Sequence, residues 1–434
     1  MRAKIGARPY LSPGPSAMAH LDLSELKARP LPELIDLARS NKVDQPSGLT
    51  RQELIFELLR GTRNGQIVVG GGVLEILPDG FGFLRDAAGN YMPGPDDIYV
   101  SPSQIRRFNL RNGDRVSGHV RSPKEGERYF ALTRVEEVNS ADPDKSRDKA
   151  LFDNLTPVYP RTKLNLDQQA NPLIRALDLL APMALGQRGL LLGPHGPAPS
   201  ALLCALAEVL ADNHPELTVL VCLVDARPEQ VTELSRTMRA EVLSSTFDEP
   251  AVRHLQVAEM VIERARRLVE HGQDVVVFLD SITALIRASN QVTPPSGREL
   301  IGGLDPACLQ RVKRLLGSAR AAEEGGSLTL IATAISDSAS ALDRDILEAL
   351  KGIANLEITL RPSALMDNTA SVDWARTHTL QADLIHGEDD CARALGLRHS
   401  LTGDAVQDMM WLRAAFAEHS SNRAWLDKLS KTGH

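Results

Sequence analysis

Apolar and polar positions follow three different rhythms along the chain. Between residues 22 and 60, Leu23, Leu26, Leu31, Leu34, Ile35 and Leu37, and then Leu54, Ile55, Leu58 and Leu59, recur at helical spacing. Two or three short helices are predicted there, ended by the glycines at 70–72. From 73 to 137 the apolar runs shorten to Gly72-Val-Leu-Glu-Ile-Leu77, Asp97-Ile-Tyr-Val100 and Arg128-Tyr-Phe-Ala-Leu132. The turn formers Pro78-Asp-Gly80, Pro93-Gly-Pro-Asp96 and Asn112-Gly-Asp114 separate them, which predicts a small β-barrel. Residues 138–160, with Asp142-Pro-Asp-Lys-Ser-Arg-Asp148, read as a charged linker. Beyond 161, buried-type strands at 189–192, 217–224, 275–279 and 328–332 alternate with helices, as in an α/β domain with a parallel sheet. The tail from Asp404, carrying Trp411 and Trp425, reads as helical. The resulting division is an extension (1–21), a helical subdomain (22–70), a barrel (71–140), a linker (141–165), an α/β domain (166–403) and a helical tail (404–434).

Composition narrows this picture without changing it. Hydrophobic residues at 43% and charged residues at 24% fit a globular chain of several domains. A net charge of -7 argues against bulk electrostatic adhesion to nucleic acid, so any RNA binding has to come from a local site. Cys204, Cys222, Cys308 and Cys391 are scattered without metal-ligand spacing and read as reduced thiols, which suits the cytoplasm. Apolar runs are too short to cross a membrane, and residues 1–17 lack the apolar stretch of a signal peptide. They read as a disordered extension or a misassigned start, with Met18 as the alternative initiator.

The first candidate chemistry lies in the barrel. Of nine Phe, five Tyr and three Trp, seven fall between 81 and 130: Phe81, Phe83, Tyr91, Tyr99, Phe108, Tyr129 and Phe130. Phe108 and Phe130 read as core. Phe81 and Phe83, two residues apart, project from one face of a strand, and Arg85 repeats that face within reach of a phosphate. Gly80 and Gly82 flank them and leave room for a ligand near the backbone. A base can stack on such rings without net positive charge; core filling is the competing reading.

The segments Asp79-Gly-Phe-Gly-Phe-Leu-Arg85, Gly94 to Arg111 and Lys124-Glu-Gly-Glu-Arg-Tyr-Phe-Ala-Leu132 resemble those of the Rho family of bacterial transcription terminators. So do Ser245-Thr-Phe-Asp-Glu-Pro-Ala251 and Gln256-Val-Ala-Glu-Met-Val-Ile262. The resemblance spans about residues 22 to 415. It implies an α/β multidomain fold: an N-terminal helical subdomain, an OB-fold RNA-binding barrel, and a RecA-like P-loop-type ATPase domain with a parallel sheet. It also implies C-rich single-stranded RNA as ligand, ATP and Mg²⁺ as cofactors, a hexameric ring, and RNA polymerase as a further partner. The implied primary RNA site is Gly80, Phe81, Gly82, Phe83, Leu84 and Arg85, with Asp97, Ile98 and Tyr99, and with Glu127, Arg128 and Tyr129. The implied secondary site in the ring channel includes Arg298, Gly302 and Gly303.

The ATP site departs from the family. A P-loop needs backbone N–H groups at a helix start, a Lys on the phosphates and a Ser/Thr on Mg²⁺. The stretch after Gly189-Leu-Leu-Leu192 reads Gly193-Pro-His-Gly-Pro-Ala-Pro-Ser200. Gly196 remains, Ala198 stands for the second Gly and Pro199 for the Lys, before Ser200 and Ala201. Pro194, Pro197 and Pro199 have no N–H to donate. Asp280 ends a Walker B-like strand and with Ser200 is the candidate metal ligand, should Mg-ATP bind. By resemblance, Ala226 occupies the position of the catalytic acid, Leu380 that of the arginine finger and Ala341 that of a channel Lys. Gly186, Gln187, Arg188 and Gly189 align with a run bordering the nucleotide, and Arg227 is kept as a nucleotide contact or a structural ion pair.

Loss of phosphate grip, water activation and trans charge stabilisation within a domain whose apolar pattern persists points to a folded pseudo-ATPase. The expected function is an RNA-binding terminator with impaired or lost ATPase and helicase activity, forming a homohexamer or a mixed hexamer with an active Rho. The alternative is a functioning, divergent ATP-dependent RNA translocase, in which Arg188 or Arg227 reaches the phosphates.

Overall fold

The computed structural model describes residues 21–60, 68–94, 96–124, 126–147, 149–167, 171–297, 300, 302–361 and 371–432. Residues 1–20 of the expected extension, Met18 among them, lie outside these, as does Arg298.

Three helices open the chain: α1 (Leu23–Ala28), α2 (Leu31–Ser40) and α3 (Arg51–Arg60). Their periodic residues Leu23, Leu26, Leu34, Leu54 and Ile55 are buried in one cluster with the barrel residues Leu74, Leu84, Ile98 and Val116. Helices and barrel therefore share a core. The barrel comprises β1 (Val68–Ile76), β2 (Gly82–Arg85), β3 (Ile98–Val100), a short helix α4 (Pro102–Arg107), β4 (Arg115–Arg121) and β5 (Phe130–Val138). The strand order is β1-β2-β3-β5-β4, and β4 pairs back onto β1 to close it. The glycines at 70–72 lie inside β1, so the barrel begins before them rather than after.

The second domain is built on six parallel strands: β6 (Arg188–Pro194), β7 (Thr218–Ala226), β8 (Glu241–Thr246), β9 (Asp274–Asp280), β10 (Ser327–Asp337) and β11 (Leu356–Arg361). Their order is β8-β7-β9-β10-β6-β11. The helices that flank it include α5 (Pro172–Leu180), α6 (Pro197–Asn213), α7 (Pro228–Thr237), α8 (Ala251–Glu270), α9 (Ile282–Val292), α10 (Pro306–Leu316) and α11 (Ala341–Leu350). Central strands β7, β9 and β10 are buried along almost their whole length, as their continuous apolar runs require.

The chain between the domains is not a free linker. Phe152 is buried in the core of the α/β domain, and Lys149 pairs with Asp114 of the barrel at 2.8 Å and Glu270 of α8 at 3.5 Å. Tyr91, from the loop after β2, is buried against the α/β domain beside Arg264 and Glu241, and Asn90 Oδ1 accepts the Ser244 N–H at 2.8 Å. The last two helices, α12 (Ala405–Glu418) and α13 (Asn422–Thr432), likewise belong to the α/β domain. Leu412, Phe416, Trp425 and Leu426 complete its second cluster, and the fully buried Arg175 stacks over Phe416 and bonds Asn422 and the carbonyls of Phe416 and His419. Replacing Trp425 by Ala is expected to destabilise this domain by about 3–5 kcal/mol, read as a lowered urea midpoint.

Cys204, Cys222 and Cys308 are buried free thiols and Cys391 is half-buried; burial pushes Cys204 and Cys222 up to about 12. Among the described residues no helix is long and apolar enough to cross a membrane, and no cluster of candidate metal ligands is present.

Candidate RNA platform and nucleotide site

Strand pairing builds the aromatic cluster. In register, Glu75 of β1 faces Phe83 of β2, and Phe83 faces Tyr99 of β3. Phe81 joins from the turn before β2, and Tyr129 from just before β5. Ring centroids lie 5.7 Å apart for Phe81–Tyr99, 5.8 Å for Phe81–Phe83 and 4.8 Å for Phe83–Tyr129. The edge-to-face contacts hold the rings without stacking their outer faces on one another, as a surface that receives flat bases needs. Tyr129 is 37% exposed, Phe81 and Tyr99 are half-buried, and Phe83 forms the floor.

Several expected contacts take other roles. Arg85 does share the face of Phe83, and its guanidinium lies 5.0 Å from that ring. It is buried, however, bonded to Glu75 at 2.8 Å and to Asp97, so it braces the platform from below and does not reach outward for a phosphate. Asp97 is itself buried and also accepts the Gly94 N–H at 2.7 Å. Leu84 and Ile98 point into the shared core. Gly82 is there for packing: a Cβ would sit 2.7 Å from Leu74 Cδ1 and 2.8 Å from the Glu75 carbonyl. Gly80 has φ +84° and makes the turn that presents Phe81. Phe130 is buried as expected, Phe108 is half-buried against the same core, and Arg128 is exposed.

Glu127 pairs with Arg121 at 2.6 Å and accepts the Lys124 N–H at 3.0 Å, fixing the loop that carries Tyr129. These bonds, the Arg121 guanidinium first, hold its carboxyl down at about 2. The contribution to loop order is complete above the ordinary glutamate range and is lost as pH falls through about 2. Affinity for RNA is expected to stay level from pH 8 to 5 in a pH titration monitored by fluorescence anisotropy; a drop within that window would contradict this role for Glu127. Glu75 and Arg121 escaped sequence reasoning. Glu75 was detectable as the single charge in an otherwise apolar strand run.

The P-loop segment, Ala226, Arg227 and Asp280 lie at the C-terminal edge of the sheet, whereas Gly186, Gln187, Arg188 and Gly189 lie at the opposite edge, where β6 begins, and so do not border the phosphate loop as expected. Helix α6 starts at Pro197, and the buried Pro199 ring packs so tightly on the P-loop strand that a Cβ on Gly193 would lie 2.6 Å from it. Ala198 and Ser200 are half-buried and Ala201 is exposed. Asp280 ends β9 with its Oδ1 accepting the Thr333 hydroxyl at 2.5 Å. Ala226 ends β7, preceded by the exposed Asp225 at φ 62°, a carboxylate that the sequence reading passed over. Arg227 is exposed. Arg188 donates to the carbonyls of Ile353 and Ala319 at 3.0 and 3.1 Å, so its guanidinium ties β6 to neighbouring segments. Gln187 is buried, its Oε1 accepting the Ala184 N–H at 2.8 Å; the Gly186 N–H donates to Thr329 at 2.8 Å, and Gly189 lies within β6. Leu380 is 53% exposed. In the channel segments, Gly302 donates to Asp345 at 2.8 Å and packs on the Ala341 backbone, and the Gly303 carbonyl accepts from Asn290 at 3.0 Å.

A closed barrel bearing an aromatic surface, fused to a six-stranded parallel α/β domain with a P-loop-type strand and helix, defines a protein with a RecA-like ATPase-type domain and an OB-fold RNA-binding-type module. The Rho termination factor N-terminal domain matches residues 25–65, the Rho termination factor RNA-binding domain residues 70–144, and the nucleotide-binding domain of the ATP synthase alpha/beta family residues 174–371. The chain is 47% identical to transcription termination factor Rho of Chromobacterium violaceum over 95% of this chain and 100% of that protein. It is 48% identical to that of Escherichia coli (strain K12), over 87% of this chain and 92% of the relative. The chain belongs to the Rho family of transcription termination factors. A solved type III secretion ATPase, 18% identical, covers 65% of this chain and 88% of its own length with a TM-score of 0.51, in keeping with the fold of the second domain.

Proposed function

We propose that this protein is a Rho-type termination factor that holds nascent, C-rich single-stranded RNA on the Phe81/Phe83/Tyr99/Tyr129 platform and has lost RNA-dependent ATPase and helicase activity. It modulates termination as a pseudo-ATPase, in the cytoplasm, either as a homohexamer or mixed with active Rho subunits, acting on transcribing RNA polymerase. The observation that carries this reading is the contrast between the two sites. The platform's rings are all present and braced by Arg85, whereas Pro199, Ala226 and Leu380 leave the nucleotide site without phosphate cation, water-activating acid or finger.

ATP and Mg²⁺ serve family members, but the donor set here does not fit a magnesium triphosphate. Proline at 194, 197 and 199 removes N–H donors from the anion nest. The Pro199 ring lies on Gly193 and offers no charge, and Arg188 is bound elsewhere. Ser200, Asp280, the RNA platform and the 47–48% identity to Rho proteins over most of the chain favour the second reading, a functioning divergent translocase. Measurable binding of oligocytidine together with RNA-stimulated phosphate release at background supports the pseudo-ATPase; robust stimulated release would establish the translocase instead.

A further inference from the structure

A groove of about 780 Å³ runs between the barrel and the α/β domain. Its barrel wall includes Glu75, Ile76 and Asn112, and its other wall is formed by α8 and α10. The groove starts beside the platform, because Glu75 is the direct cross-strand neighbour of Phe83. It ends at Ala307 in the first turn of α10, just after the Gly302-Gly303 segment.

Resting on the platform reading above, we propose that this groove is a second part of the same RNA site and takes the strand as it leaves Phe83. The chemistry of the walls favours a polynucleotide. Met92, Met260 and Leu315 give an apolar floor on which base faces can lie. Gln256 and Gln310 offer amide donors and acceptors to base edges. Each carboxylate in the walls is ion-paired: Glu75 with Arg85, Glu259 with Arg311 at 2.5 Å, and Glu263 with Arg266 at 2.9 Å. Arg314 is exposed, pairs with no described carboxylate, and is the cation available to a phosphate. The volume matches that which encloses a drug-sized ligand, about one or two nucleotides.

The test compares oligocytidines of about 4 and about 12 nucleotides, the span of site sizes on barrels of this kind, binding to the full-length protein by fluorescence anisotropy. Arg314→Glu is expected to leave the short oligomer's affinity unchanged and to weaken the long one by about tenfold, with the salt slope for the long one reduced by about 1. Arg314→Lys should restore both. Equal affinity of the Arg314→Glu variant and the parent for the long oligomer overturns the proposal and leaves a protein ligand as the groove's occupant. Equal weakening of short and long oligomers overturns it too, since the residue would then act through the platform. Failure of the platform reading looks different: Phe81→Ala with Phe83→Ala would leave both lengths bound as in the parent.

Discussion

Replacing Phe81 and Phe83 together by alanine is expected to lower affinity for oligocytidine by about 30-fold to 10⁴-fold. Stacking is worth about 1–3 kcal/mol per base, and about 1.4 kcal/mol corresponds to tenfold in affinity, so two lost rings span that range. The two residues do not contribute alike. Phe81 is half-buried and free to receive a base, whereas Phe83 lies at the floor between Arg85, Tyr99 and Tyr129. Phe81→Ala alone should therefore lose one stacking partner and little else. Phe83→Ala should also loosen Tyr129, its nearest ring at 4.8 Å. The fold survives both changes because the barrel core rests on Leu74, Leu84, Ile98, Val116 and Phe130, on the opposite side of the strands. Anisotropy titrations alongside thermal melts decide the matter: an unchanged melting temperature with unchanged RNA affinity would remove the platform from consideration.

How far the platform could be read from the chain depends on what a single strand can encode. The period of two placed Phe81, Phe83 and Arg85 on one face correctly. It could not show that Glu75 of β1 and Asp97, just before β3, come in from either side and hold Arg85 underneath, because that depends on the register Glu75 to Phe83 and Leu84 to Ile98. The same distinction runs through the α/β domain. Strands buried on both faces, β7, β9 and β10, stand out as apolar runs. The strand β8, at the sheet edge and ending in Ser244-Ser245-Thr246, has no such run, and β11 interrupts its apolar residues with Glu357 and Thr359. The tail shows a helical rhythm but not where its apolar face goes; Arg175 and α5, some 240 residues earlier, supply that surface. Tyr91 looked like one more barrel aromatic and turned out to anchor the barrel to the other domain, a role set by the partner surface around Arg264 and Glu241.

The nucleotide site yields the prediction with the largest span. Pro199→Lys alone is expected to leave RNA-stimulated phosphate release at background. A lysine there regains one charge, but the nest still lacks the N–H groups of residues 194 and 197, and Ala226 cannot orient the attacking water. Adding Ala226→Glu and Leu380→Arg addresses two terms that act only in the transition state, of which a finger by itself can be worth about 10³–10⁵ in rate. Residues that work as a unit are strongly non-additive, so each single variant should remain inert. A combined Pro197→Ala, Pro199→Lys, Ala226→Glu and Leu380→Arg variant is the one expected to rise above background. Asp280 and Ser200 supply its metal ligands without further change, provided Asp280 exchanges the Thr333 hydroxyl for the ion's shell. Arg188→Ala serves as the discriminating control. Because that guanidinium holds the carbonyls of Ile353 and Ala319, its removal should lower the melting temperature of every variant alike and leave the ratio of their rates unaltered. Arg227, exposed just beyond the C-terminal end of β7, is the cation left to the translocase reading: if Arg227→Ala selectively abolished phosphate release already present in the parent protein, that reading would replace the pseudo-ATPase.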